Sequence, residues 1–130
     1  GVIWVSGSPE HSNRRVADWL KKQAKLEIAP RAHAYAREIG KKINRISIKD
    51  TRTRWGSCSS GGNLSFSWRL ILAPEDVLDY VVAHEVAHLQ ELNHSARFWK
   101  VVEDLYGPSS RQQHWLKRNG SGLHRFGADN

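Results

Sequence analysis

Residues 80–89 read Tyr-Val-Val-Ala-His-Glu-Val-Ala-His-Leu, an apolar run interrupted by three ionisable side chains. No other segment restricts the fold as strongly. Val77, Leu78, Val81, Val82, Leu89 and Leu92 recur at helical spacing and predict a helix over 75–92 with a broad apolar stripe. Pro74 suits its first turn, and Glu75 and Asp76 complement the positive end of its dipole. Such a helix packs into a core. Burying His84, Glu85 and His88 there costs several kcal/mol unless something pairs with them. The chain must therefore fold so that a partner reaches the trio.

A divalent metal is such a partner. Two His four residues apart lie about 40° apart around a helix axis and one turn along it. Both imidazoles can then reach one ion at about 2.0–2.1 Å. Glu85 is turned about 100° from His84, toward the flank of the same site. From there it can take a proton from water activated at the metal and hand it to a leaving amine. A third protein ligand is needed, with a fourth position left open. His94 stands six residues after His88, so the helix must end before it and the chain must turn back. Asn93 tolerates the left-handed conformation that such a turn can use, and Ser95 can start the next helix. The pattern predicts a three-His site for one Zn2+ per chain, with Glu85 as general acid/base.

The remaining segments frame this helix. Residues 12–28 predict a helix capped by Ser12, with Val16, Trp19, Leu20 and Gln23/Ala24 in 3- and 4-residue steps. The pattern resumes with Ala32, Tyr35, Ala36 and Ile39 and can end at Gly40; Pro30 either kinks one long helix or separates two. Ile46 and Ile48 alternate with polar neighbours, as in a half-buried strand. Residues 52–58 and 64–70 predict a hairpin around the turn residues 59–63, with Leu64, Phe66 and Trp68 on its hydrophobic side. Ser95 is expected to cap a helix through Tyr106 that packs Phe98, Trp99, Val102 and Leu105. Gly107-Pro108 breaks it, and a last short helix starts at Ser109 or Ser110 and ends near Gly120. Strands segregated from helices indicate an α+β fold.

Composition narrows the class. The 130 residues fit one domain, and 39% apolar content with six Trp argues against disorder. No apolar run approaches the length of about 18 residues that a membrane span needs. The start lacks the features of a signal peptide, and with no Met anywhere the chain is expected to be the C-terminal part of a longer protein. One cysteine, Cys58, rules out an internal disulfide and multi-cysteine metal sites, and a reducing, cytoplasmic setting fits it. The formal charge of +7 permits nucleic-acid binding, although Lys and Arg are spread without a dense block.

Arg54-Trp55-Gly56-Ser57-Cys58, Trp68-Arg69-Leu70, Ala73-Pro74, the run from Asp79 to Glu85, Asn93-His94-Ser95 and Phe98-Trp99 resemble the YgjP-like zinc metallopeptidase family. That family belongs with the SprT-like and WLM-type zincins among the gluzincin-related peptidases. The likeness runs from about Val16 to Phe126. It implies that His84, His88 and His94 ligate zinc and that Glu85 is the catalytic acid/base. Metzincins share the His spacing but place Gly where Glu91 stands and carry a Met-turn, so that assignment is rejected. Glu91 is left as an exposed residue or an outer partner of a ligand.

The resemblance also implies a zincin-like layout: N-terminal helices, a small antiparallel sheet or hairpin packed on the zinc helix, then C-terminal helices. In such a layout an extended peptide adds beside an edge strand. Residues 63–68 are the candidate edge, with Leu64, Ser65 and Phe66 as candidate substrate-binding residues. A plain structural hairpin fits the same alternation. The oxyanion partner is open among Tyr80, Arg97 and His114. Arg54 can pair with Asp79 or Glu85 and orient the site, or anchor the hairpin together with Trp55. Cys58 is not spaced to join the ligands, and His11, His33 and His124 read as surface residues. The expected function is zinc-dependent peptide hydrolysis. A nucleic-acid-associated zinc protein and a zinc scaffold without turnover are the alternatives.

Overall fold

The structure, a computed structural model, describes residues 9–120. Helix α1 (Pro9–Glu38) is one continuous helix that runs through Pro30, and Ser12 lies inside it instead of capping it. Pro30 and Leu26 are both exposed, so the Leu26 carbonyl that loses its helical donor lies on the solvent side, where water can satisfy it. Ala24, Ile28, Ala32 and Ala36 recur every fourth residue and are buried. Three small side chains in this row let α1 approach its neighbours closely. Upstream of that row Trp19 is half exposed at the rim of a groove shared with Ile71 and Leu78, so the expected apolar face is core only from Ala24 onward. Gly40 closes the helix with φ +64°, where Lys41 N–H donates to the Ala36 carbonyl and Gly40 N–H to that of Arg37. Only a residue without a Cβ adopts this left-handed cap cheaply. His33 is exposed on α1; His124 and the side chain of His11 lie outside the described residues.

Three strands follow: β1 (Arg45–Lys49), β2 (Gly56–Cys58) and β3 (Asn63–Ser67). Their order is β1-β3-β2, with β1 parallel and β2 antiparallel to β3. The sheet is therefore mixed, not antiparallel. Residues 63–67 are its centre, not the edge that the alternation suggested. The β2–β3 hairpin forms as expected, around a turn in which Gly62 takes φ +83°. The parallel pairing could not be read from local pattern, because the paired residues of β1 and β3 lie 18 positions apart. Leu64 and Phe66 point to the core, and Ser57 and Ser65, paired across the hairpin, take the opposite face by alternation.

The expected strand to residue 70 stops at Ser67. Residues 68–72 tighten into a 3-10 turn, capped by Ser67 Oγ, which accepts from Arg69 N–H. Asp50 ties this turn to the end of β1: its carboxylate accepts from Trp68 Nε1 at 3.0 Å and from Arg69 Nη1 at 2.6 Å. The chain then enters α2 (Glu75–Ala87), α3 (Ala96–Leu105) and α4 (Ser110–Asn119). Ten of the thirteen residues of α2 are buried, which makes it the central helix that α1, the sheet, α3 and α4 surround. The described residues share one hydrophobic core. The architecture is α+β.

Asp76, in the first turn of α2, holds α4. Its carboxylate accepts from Arg111 Nη2 and from Gln112 Nε2, and Tyr106 Oη donates to its carbonyl at 2.9 Å. Burial opposes ionisation of Asp76, but the bonds from Gln112 and Arg111 outweigh it and hold the carboxyl below its ordinary pKa. A carboxylate depressed in the folded state stabilises above its unfolded pKa, and that stability is lost as pH falls through the folded value. Wild type should therefore lose Tm more steeply than Asp76→Asn below about pH 4, as read by thermal melts across pH. Parallel acid limbs would show that Asp76 carries no such linkage.

Candidate active site

The end of α2 builds the site. His84 and Glu85 are fully buried and His88 is 3% exposed. The helix stops at Ala87, with His88 as its cap residue in right-handed geometry, and bonds from Leu89, Gln90 and Glu91 N–H back to Val86 and Ala87 close the last turn. It is thus shorter than the stripe to Leu92 predicts. The chain then runs without helix to Ser95, whose Oγ accepts from Phe98 N–H and starts α3. Among the described residues no non-glycine takes a positive φ, so Asn93 does not supply a left-handed turn. The reversal is spread over residues 88–94 instead, which avoids the steric cost of that conformation.

This reversal delivers His94. The ligand atoms of His84, His88 and His94 lie within 4.8 Å of one another, and His88 Nε2 is 3.2 Å from His94 Nε2. Donors on a tetrahedral ion with bonds of about 2.0–2.1 Å stand roughly 3.3 Å apart. The ring tautomers fit as well. His88 Nδ1 is 3.0 Å from the Glu91 carbonyl, and a carbonyl only accepts, so Nδ1 carries the proton and Nε2 keeps its lone pair. Two such nitrogens 3.2 Å apart repel unless a proton or a metal ion lies between them. Burial and the neighbouring His88 hold His94 below the ordinary histidine pKa, which disfavours the proton. Tyr80 Oη lies 3.2 Å from His84 Nδ1 and orients that ring in the same way. Tyr80 therefore stands behind the His84 ring, the outer position that its place one turn before His84 allows. Glu91 contributes its backbone carbonyl, not its carboxylate.

Aromatic rings wall the cluster. Phe98 stacks on His88 with ring centres 4.3 Å apart and meets His84 and His94 edge-on at 4.9 Å. Trp99 flanks His84 and His94. Helical periodicity marked both as core residues of α3, and only the fold reveals that the core they join is the His cluster.

Glu85 lies under β2. A Cβ added to Gly56 would stand 3.0 Å from Glu85 Cγ and 3.1 Å from Oε2, so glycine is the residue that lets the strand settle on the carboxyl group. Gly56 was visible in the Arg-Trp-Gly-Ser-Cys string, but nothing local disclosed what it approaches. Burial raises the Glu85 pKa well above the carboxylate range, and the charge of Arg54 partly opposes this. Arg54 thus acts on Glu85; Asp79, its other expected partner, accepts instead from Tyr35 Oη at 2.9 Å and lies 3.8 Å from Arg31. Trp55 is buried and packs against Trp115, as an anchor of the hairpin. Arg97 and His114 are exposed, and no hydrogen bond, ion pair or ring contact joins either to the His cluster. Leu64 and Phe66 are core residues of the central strand, so Leu64, Ser65 and Phe66 cannot offer a free edge.

Cys58 stands outside the ligand set. Its thiol is pushed up to about 12 by burial and by the charge of Glu85. A raised pKa removes thiolate at neutral pH. Alkylation of Cys58 by iodoacetamide at about pH 8 should run on the order of a hundredfold slower in the folded protein than in urea, followed by mass shift. Equal rates would show an open, ordinary thiol.

The YgjP-like metallopeptidase domain matches residues 2–119, somewhat earlier at both ends than the motifs alone indicate. Among solved structures the chain is similar to the metallopeptidase zymogen of Pyrococcus abyssi abylysin, with 21% identity and a TM-score of 0.51 over 78% of this chain and 90% of that one. That likeness is one of fold. No curated protein matches the sequence. With the family domain spanning nearly all of it, including the His cluster and the strand above Glu85, the chain belongs to the YgjP-like metallopeptidase family.

Proposed function

We propose that this chain hydrolyses peptide bonds with one zinc ion held by His84, His88 and His94. The observation that carries this reading is the convergence of three imidazoles within 4.8 Å beside a buried carboxyl group. An all-nitrogen donor set with outer partners on Nδ1 suits zinc. When bound, zinc lowers the pKa of water and polarises a carbonyl oxygen. The protein supplies the rest. Glu85 takes the proton from water as the water oxygen adds to the peptide carbon, then delivers that proton to the departing amine. Its raised pKa suits the second half of this task, because a carboxyl group that holds its proton more firmly can carry it between the two steps. Phe98 and Trp99 exclude water from the ligand side and keep the rings in place.

The substrate lies beside β2, not β3. Among the described residues β2 is an edge strand, and it passes directly over Glu85. Ser67 N–H donates to the Trp55 carbonyl and Ser59 N–H to that of Asn63, so residues 55, 57 and 59 bond inward. The amide of Cys58 is turned away from β3, where an extended peptide can pair with it.

Glu85→Gln should retain about one zinc per chain by elemental analysis and lose on the order of a thousandfold in kcat. His94→Ala should lose the metal itself. Unchanged cleavage by Glu85→Gln, or full zinc in His94→Ala, would overturn the assigned roles. Gly56→Ala should keep zinc but lower kcat on the order of tenfold or more, because the added methyl group displaces the Glu85 carboxyl. Wild-type turnover in that variant would show that the close approach has no part in catalysis.

A further inference from the structure

Above the sheet, on the face opposite Glu85, lies a cavity of about 320 Å³. The segment before β2 and the ends of β1 and β3 enclose it. Lys49, Arg54, Thr51, Thr53, Ser57 and Ser65 supply its polar lining, and among the described residues no carboxylate lines it. Among the described residues neither Lys49 nor Arg54 forms an ion pair or donates a side-chain hydrogen bond. Arg69, nearby in the fold, is by contrast paired with Asp50 at 2.6 Å. The hydroxyls of Thr53, Ser57 and Ser65 also make no side-chain hydrogen bond there, so two cations and three hydroxyls face one space.

The strand geometry connects this cavity to the reaction. Side chains of an extended chain alternate between faces. A peptide paired with the outer edge of β2 places every second side chain on the face that carries Ser57 and Ser65. The side chains between them fall on the Glu85 side. Arg54 lies two residues before β2 and its charge is felt at Glu85, so the cavity and the reacting centre share a wall.

We infer that this cavity receives a carboxylate of the substrate close to the cleaved bond, with Lys49 and Arg54 as its specificity-determining cations. The inference rests on the peptidase reading above and names the substrate class for it: peptides acidic at one position flanking the cleavage point. Charge-assisted hydrogen bonds from two cations distinguish a carboxylate from the isosteric amide, and a substrate ammonium group would be repelled. A Glu or Asp side chain and a free C-terminal carboxylate share this chemistry.

The test uses the zinc-loaded chain and sets of peptides that differ only by Glu, Gln or Lys at each position from two before to two after the cleaved bond. All are amidated at the C-terminus, and a parallel neutral set ends in a free carboxylate. At one position kcat/KM for Glu should exceed that for Gln on the order of tenfold and that for Lys by more. An advantage confined to the free-acid set identifies the terminal carboxylate as the group received. In Lys49→Ala the preference should shrink, and in Lys49→Glu it should reverse toward Lys; circular dichroism confirms that both variants fold. Preferences within about threefold at every position in both sets, or a preference untouched by Lys49→Glu, would overturn the inference while leaving the peptidase reading intact. If the zinc-loaded chain cleaves no peptide of any charge, the peptidase reading falls and this inference with it.

Discussion

Two imidazoles and a carboxyl group sit fully inside the apolar centre of this chain, and removing them from water is the cost around which the other elements are arranged. Each is met by a specific contact. Tyr80 takes His84 Nδ1, the Glu91 carbonyl takes His88 Nδ1, and the field of Arg54 reaches Glu85. What these contacts leave over is a set of nitrogen lone pairs directed at one point, with His94 completing it from outside the helix. A cation at that point turns three mutually unfavourable donors into a coordination shell. The aromatic wall of Phe98 and Trp99 then does two things at once, since it fills the core and fixes the ring planes.

The position of the helix end follows from the same need. Had α2 continued to Leu92, as its apolar stripe permits, His94 would lie too near the helix axis direction to swing back over His84. Ending at Ala87 gives the chain seven residues to reverse before Ser95 caps α3. The sheet answers to Glu85 in a comparable way. β2 is only three residues long, and its first residue is the glycine that allows backbone to lie against the carboxyl group. The strand that approaches Glu85 is thereby also, among the described residues, an edge strand.

Much of this was legible beforehand, and the reasons differ by residue. The helix with His84, Glu85 and His88 follows from periodicity and from the cost of burying charge, both of which act within a few turns of chain. His94 could be predicted because ligand geometry demands a third donor and Ser95 marks the next helix start. The sheet was read less well. Leu64, Ser65 and Phe66 alternate as an edge strand would, but alternation reports which face is buried, not how many neighbours the backbone has. The parallel partner β1 lies 18 residues before β3 in register, so no local signal announces it. Tyr80 offered a hydroxyl near the site without revealing whether it serves substrate or ligand. The fold sets it behind the His84 ring.

Short-range chemistry in the chain was therefore enough for the start of the central helix, the hairpin turn and the gathering of His84, His88 and His94 beside Glu85. Long-range packing alone settled which strand lies at the edge, which residue meets Glu85, where Arg54 acts and that Phe98 and Trp99 enclose the His cluster. The division has a physical cause. Periodicity, capping and ligand reach are satisfied by neighbours in sequence, whereas strand order and the contacts across α2 exist only once segments tens of residues apart have closed on one core.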